Sequence, residues 1–209
     1  MITFKQAVFS LISNLSDMDK KRLGHSLEDI LIGCNFNFKP CSATDFVWQF
    51  DYNFGNCYIF NGGLNSTGHS VNLFKSHLAG VSYGLKLELY VNFNANLTMI
   101  NSFGGGRGAL IRIDNVSRVL DYGPEGIQAS AGLVTNFAVS QFRKFLLKKP
   151  YSNCELDNDN TITSKISELY NAITNSQNPH YTYSQQFCLT QCAQRLYIEH
   201  CGCYLPYLA

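Results

Sequence analysis

A chain of 209 residues with 45% apolar content can bury a core, as one compact body or two closely packed ones. Sixteen basic residues against fifteen acidic ones leave a formal charge of +1, which removes the usual electrostatic case for nucleic acid or an anionic membrane surface as partner. Charged residues make up only 15% while Asn, Tyr, Phe and Cys are abundant, a balance that suits an extracellular surface better than a cytosolic one.

Phe4, Val8, Leu11, Ile12 and Leu15 recur at helical spacing and predict one amphipathic helix over the first fifteen residues. Met1 opens directly into that pattern, with Lys5 and Gln6 inside it, so it does not read as a signal peptide. No apolar run approaches the roughly 20 residues that cross a bilayer. A cysteine-rich chain with neither export signal nor anchor is expected to be an interior piece, or a truncated gene model, of a longer membrane protein. Ser16 is placed to cap a second short helix ended by Gly24, and Ser26 a third, LEDILI, ended by Gly33.

Cys34 and Cys41 flank six residues, with Pro40 just before the second, and a loop of this size closes readily into a local disulfide. The aromatic-dense run DFVWQFDYNFGNCYIFNGG carries Cys57. From Leu85 to Phe93, Leu85, Leu87, Leu89, Val91 and Phe93 alternate with polar residues and Tyr90, which predicts a strand with one buried face. GGGRG, from Gly104 to Gly108, lacks the G-K-[ST] ending of a phosphate loop and reads as a surface turn. Leu110 to Ile113 and Leu133 to Val139 are expected to be two further strands. Between Glu155 and His180 the chain is polar apart from Ile166, Leu169, Tyr170 and Ile173, a one-sided stripe that suggests an additional helix. Four N-glycosylation sequons stand at Asn14, Asn65, Asn96 and Asn115. A composition this rich in Asn, Ser and Thr yields roughly three by chance, so they permit secretion without arguing for it.

The end of the chain holds four of the eight cysteines. Ser184 is a good N-cap, and the run after it is helix-compatible until Gly202. Cys188 and Cys192 then share one helical face with Leu196, and each needs a partner on another segment. Cys201 and Cys203, one residue apart, cannot pair comfortably with each other. Four thiolates could hold a structural zinc, but the dependable zinc spacings use C-x2-C knuckles and none occurs here.

Several of these motifs, in this order, resemble the extracellular domain of the degenerin, epithelial sodium channel and acid-sensing ion channel family. They are Leu23-Gly24-His25 with its acidic-apolar helix and Cys34, the strand around Cys57 in YNFGNCYIFN, and Tyr183-Ser184 followed by Cys188, Cys192, Cys201 and Cys203. The element order of helices, antiparallel-type strands and a helix argues an α+β fold. The resemblance implies a finger over residues 1–33, a palm and β-ball over 34–150, and the start of a disulfide-stapled thumb over 151–209. It also implies that Cys57, Cys154, Cys188, Cys192, Cys201 and Cys203 close onto segments outside this chain. Tyr151, three residues before Cys154, stands where family members place an aromatic against the first membrane helix. The implied protein is a homo- or heterotrimeric, ligand- or force-gated, amiloride-sensitive sodium channel of the plasma membrane. A peptide or other extracellular ligand is its expected partner, and the membrane is reached only through helices absent here. No cofactor is implied.

Acid-sensing relatives crowd carboxylates between finger and thumb, whereas Leu89 to Ile113 contains no acidic residue here and Asp17 and Asp19 stand beside Lys20, Lys21 and Arg22. Leu189 and Ala193 occupy the positions where such relatives hold a chloride ion with an arginine and a glutamate. The expected stimulus is therefore not a proton, with Asp29, Glu88 and His25 as routes to mild pH modulation only. A secreted cysteine-rich binding protein is the alternative, and would need an internally paired cysteine set. His25 reads as structural. His69, His77, His180 and His200 are scattered without any catalytic arrangement, which argues against an enzyme.

Overall fold

A computed structural model describes residues 4–64, 69–80, 82–91, 108–116, 126–142, 147, 150–151 and 185–202. The chain divides into two compact units, Met1–Val116 with Pro124–Asn136, and Ser117–Gly123 with Phe137–Ala209. Helices and antiparallel sheets are mixed throughout the first, and the described part of the second contains one helix.

The first unit opens with three helices, α1 (Phe4–Ser13), α2 (Asp17–Leu23) and α3 (Leu27–Ile30). Ser16 and Ser26 cap α2 and α3 in the same way. Each hydroxyl accepts from the backbone N–H three residues on, at 3.2 Å, and donates to that residue's carboxylate, at 2.6 Å in Asp19 and 2.7 Å in Asp29. The LEDILI segment does not stay helical to Gly33. Leu31 begins strand β1 (Leu31–Phe36), because pairing with β5 (Leu85–Leu89) offers the Leu-Ile pair a ladder that a one-turn helix cannot match.

β1 also pairs with the short β2 (Lys39–Pro40), giving the order β2-β1-β5. The β1–β2 connection is a two-residue turn in which Asn37 and Phe38 both take positive φ, 49° and 64°, as a right-twisted hairpin requires. Asn37 holds this turn to the following loop: its amide donates to the Lys75 carbonyl at 3.2 Å, and its side-chain oxygen accepts from the Gly84 N–H at 2.7 Å. Residues 85–89 thus form the strand expected there, but its apolar face is only half-buried and Leu85 is exposed. Residues 92–93 lie outside the described residues.

A second antiparallel pair joins β3 (Phe46–Asp51) to β4 (Gly55–Phe60), with Asp51 opposite Gly55. The buried Asp51 carboxylate builds the turn, accepting from the N–H groups of Asn53 at 2.6 Å and Phe54 at 2.8 Å, and Gly55 closes it at φ 78°. The core of this unit is aromatic. Phe46 is buried, and the Phe36, Phe46, Phe60 and Phe74 rings meet with centroids 5.2–5.8 Å apart. A second group joins Phe9 of α1 to Tyr52, and Tyr52 to Phe50, with the Lys20 ammonium 5.8–5.9 Å from the last two rings.

A third pair, β6 (Gly108–Ile111) with β7 (Ile127–Ser130), completes the first unit's described strands. β6 covers only part of the strand expected over Leu110–Ile113. Leu133 to Val139 is not a strand: a turn with Gly132 at φ 77° precedes it, no ladder is formed, and Val134 is 90% exposed. Apolar, β-branched composition favours a strand only where a neighbour pairs with it. In the second unit α4 (Gln185–Cys201) ends as its sequence requires, with Gly202 at φ 60° donating its N–H to the Ile198 carbonyl at 3.0 Å. The polar stretch 155–180, GGGR at 104–107 and the Ser184 cap lie outside the described residues.

Candidate functional site: the joint between helices and cysteine-bearing strands

Asn56, beside Cys57 on β4, organises the site. Its side-chain oxygen accepts from the Trp48 indole N–H at 3.0 Å, across the β3–β4 pair. Its amide donates to the carbonyls of Lys21 at 2.8 Å and His25 at 3.1 Å, and the Tyr58 hydroxyl donates to the same His25 carbonyl at 2.8 Å. One strand thereby grips both the end of α2 and the start of α3. A Cβ on Gly24 would lie 2.8 Å from the Asn56 amide nitrogen, so the Leu-Gly-His motif has a physical reason: glycine lets the strand's side chain reach the helix-linking backbone. His25 contributes its carbonyl, and its side chain is exposed.

Cys57 is half-buried and free in this chain. Burial, and then the Asp51 carboxylate, push its thiol up to about 12, so it stays protonated and unreactive near neutral pH. Burial followed by the Glu28 charge likewise raises the Tyr58 hydroxyl, keeping it a donor to His25. Cys34 and Cys41 form a disulfide across the β1–β2 hairpin, with Cα atoms 4.9 Å apart, and the Cys41 N–H donates to the Cys34 carbonyl at 3.1 Å.

In the second unit Cys192 and Cys201 are free and exposed on α4. Cys188 lies one turn before Cys192 on that helix, and Leu196 one turn after. Tyr151 is 79% exposed. Asn14 and Asn115 are exposed. Cys154, Cys203, Asn65 and Asn96 lie outside the described residues. No group of three His, Cys, Asp or Glu side chains that could hold a metal ion occurs among the described residues. Among them, too, no helix is long and apolar enough to cross a membrane.

The structure adds residues that the sequence did not single out: Asn37, Asn56 and Asn61 as side-chain clamps, and Lys20 as a cation over aromatic rings. The asparagines carried a weak signal, since Asn37 precedes an aromatic in a short closed loop and Asn56 and Asn61 bracket the Cys57 strand.

Gly24→Ala should cost about 2 kcal/mol in chemical denaturation, from overpacking against Asn56, and pairing it with Asn56→Ala should add much less than a second full penalty. Full additivity would dissociate Gly24 from the joint. The Cys57 thiol has a folded pKa of about 12 against an ordinary 9.0, so its contribution is complete below pH 9 and disappears as pH rises toward 12. Stability of the native chain should therefore fall more steeply across that window than stability of Cys57→Ala, and parallel curves would contradict the burial of the thiol.

The sequence profile described as amiloride-sensitive sodium channel matches residues 3–209. Among curated relatives, the chain is 28% identical over 200 residues to "Epithelial sodium channel subunit gamma" of Bos taurus, covering 96% of this chain and 28% of that protein. It is 29% identical over 198 residues to "Degenerin-like protein unc-105" of Caenorhabditis elegans, covering 93% of this chain and 20% of that protein. It is 28% identical over 193 residues to "Epithelial sodium channel subunit beta-2" of Xenopus laevis, covering 92% and 27%. The chain thus spans 20–28% of the length of these relatives. With the profile matched across nearly every residue, the chain belongs to the amiloride-sensitive sodium channel family.

Proposed function

We propose that this chain is the extracellular part of a subunit of an amiloride-sensitive sodium channel in the plasma membrane, which passes sodium ions when a ligand or mechanical load opens it. The observation that carries this reading is the family match over residues 3–209. Relatives named as gamma and beta subunits support assembly with related subunits, as a homo- or heterotrimer. On this reading residues 1–33 end the finger, 34–150 form palm and β-ball, and 151–209 begin the thumb. The joint at Asn56 then makes the finger helices and the Cys57 strand one mechanical piece. Cys57, Cys154, Cys188, Cys192, Cys201 and Cys203 bond to segments outside these residues, and Asn14, Asn65, Asn96 and Asn115 are available to carry glycans.

Tyr151 is assigned to the route by which this body moves the pore. It is a largely exposed aromatic, and exposure leaves its ring available to a neighbouring element. The stimulus is assigned to a peptide, another small ligand or load rather than to protons, since residues 89–113 carry no carboxylate.

The complete channel, expressed in oocytes, should carry a sodium current blocked by amiloride. Surface-expressed protein that stays silent under peptide, load and acid would overturn the reading. A rapid step to acidic medium should evoke no large transient current, and a large one refutes the choice of stimulus. Tyr151→Ala should reduce gating with surface expression near that of the native channel, and unchanged currents remove Tyr151 from the route.

A further inference from the structure

Asn61 directly follows β4 at φ 59°, a left-handed conformation that asparagine tolerates better than most residues. Its amide donates to the Phe74 carbonyl at 3.0 Å, and its side-chain oxygen accepts from the Phe74 N–H at 2.7 Å. One carboxamide thus stands in for a paired strand and holds the loop that carries Phe74. The next residue is equally constrained. A Cβ on Gly62 would lie 2.9 Å from the Ile59 Cγ2, and a β-branched side chain has little freedom to yield. The fold therefore demands asparagine followed by glycine here, and Asn61-Gly62 is the single Asn-Gly pair in the sequence.

That dipeptide is chemically labile, because a glycine's unhindered backbone nitrogen reaches the preceding side-chain carbonyl carbon with little steric cost. We propose that Asn61 is a deamidation site whose rate is set by its grip on Phe74. The Gly62 nitrogen bonds to Asn61 Cγ, the Cγ–Nδ2 bond breaks, and Nδ2 leaves as ammonia after taking up the Gly62 proton. Water then opens the cyclic imide at either carbonyl, giving an aspartyl or isoaspartyl residue. The net change is amide plus water to carboxylate plus ammonium, with no oxidant or reductant.

Both atoms of the amide are engaged while the loop is docked. Turning Cγ toward Gly62 and releasing Nδ2 require both hydrogen bonds to break, so the folded chain protects its own weak point. Local opening of the loop removes that protection. The product does not restore the joint: a carboxylate places an acceptor oxygen where Nδ2 stood, 3.0 Å from the Phe74 carbonyl, and the repulsion between the two undocks the loop and exposes the Phe74 N–H, while an isoaspartyl linkage lengthens the backbone itself. The Phe60 and Phe74 rings, stacked at 5.5 Å and 6°, lose the anchor that aligns them.

The test incubates the full 209-residue chain at mildly alkaline pH, folded and in guanidinium, and follows Asn61 by peptide mass mapping. Deamidation should be at least about tenfold slower in the folded chain, the factor expected when two hydrogen bonds must open first. Asn61→Asp, which reproduces the aspartyl product, should lose hydrogen-exchange protection at the Phe74 amide while the β3–β4 amides keep theirs. Equal rates folded and unfolded, or a Phe74 amide as protected in Asn61→Asp as in the native chain, would overturn the proposal.

Discussion

A single carboxamide ties the second and third helices to the β3–β4 pair. Asn56 faces Trp48 across its own strand pair and, through the other half of its side chain, two backbone carbonyls that flank Gly24. Each such bond contributes about 1 kcal/mol net. The seven residues of α2 and four of α3 are too few to be helical alone. Their capping serines set where each begins, and Asn56 sets where both sit.

Around that fork the interior is built from rings more than from aliphatic side chains. Among the described residues Phe9, Leu27 and Phe46 are the buried apolar ones, and the remaining aromatic contacts occur at partly exposed positions. Edge and offset contacts of this kind add about 0.5–1.5 kcal/mol each beyond the area they cover. They also fix relative orientation, because a ring has few ways to meet another ring. Lys20 belongs to this interior: its stem lies mostly covered while its ammonium stays between Asp17, at 3.5 Å, and the Phe50 and Tyr52 rings. One residue of the Lys20-Lys21-Arg22 run is thus packed.

What the sequence disclosed follows from how local each signal is. The serine caps of α2 and α3, the Gly24 and Gly202 stops, the Cys34–Cys41 closure and the alternation of Leu85 to Leu89 are written within a few neighbouring residues, and each appears in the structure. The strand over Leu31–Phe36 was hidden inside a helical pattern because its stability comes from β5, some fifty residues later. The reverse failure occurred at Leu133–Val139, where composition promised a strand that no neighbour completes. The Asn56, Asn37 and Asn61 clamps were illegible for the same reason, since each reaches a backbone group 10 to 50 positions away. The motifs around Cys57 and α4 nevertheless identified the family, which needs order and spacing rather than contacts.

The two left-handed asparagines have a joint mechanical meaning. Asn61 takes hold of Phe74 and Asn37 of Lys75, adjacent residues held from two different hairpins, one of them cross-linked by Cys34–Cys41. A tension that peels a strand from its end meets hydrogen bonds one at a time, and each yields separately. Here the grips stand side by side and must share the load, in the manner of a shear rather than a zipper, so the loop resists gradual stripping and releases in one step.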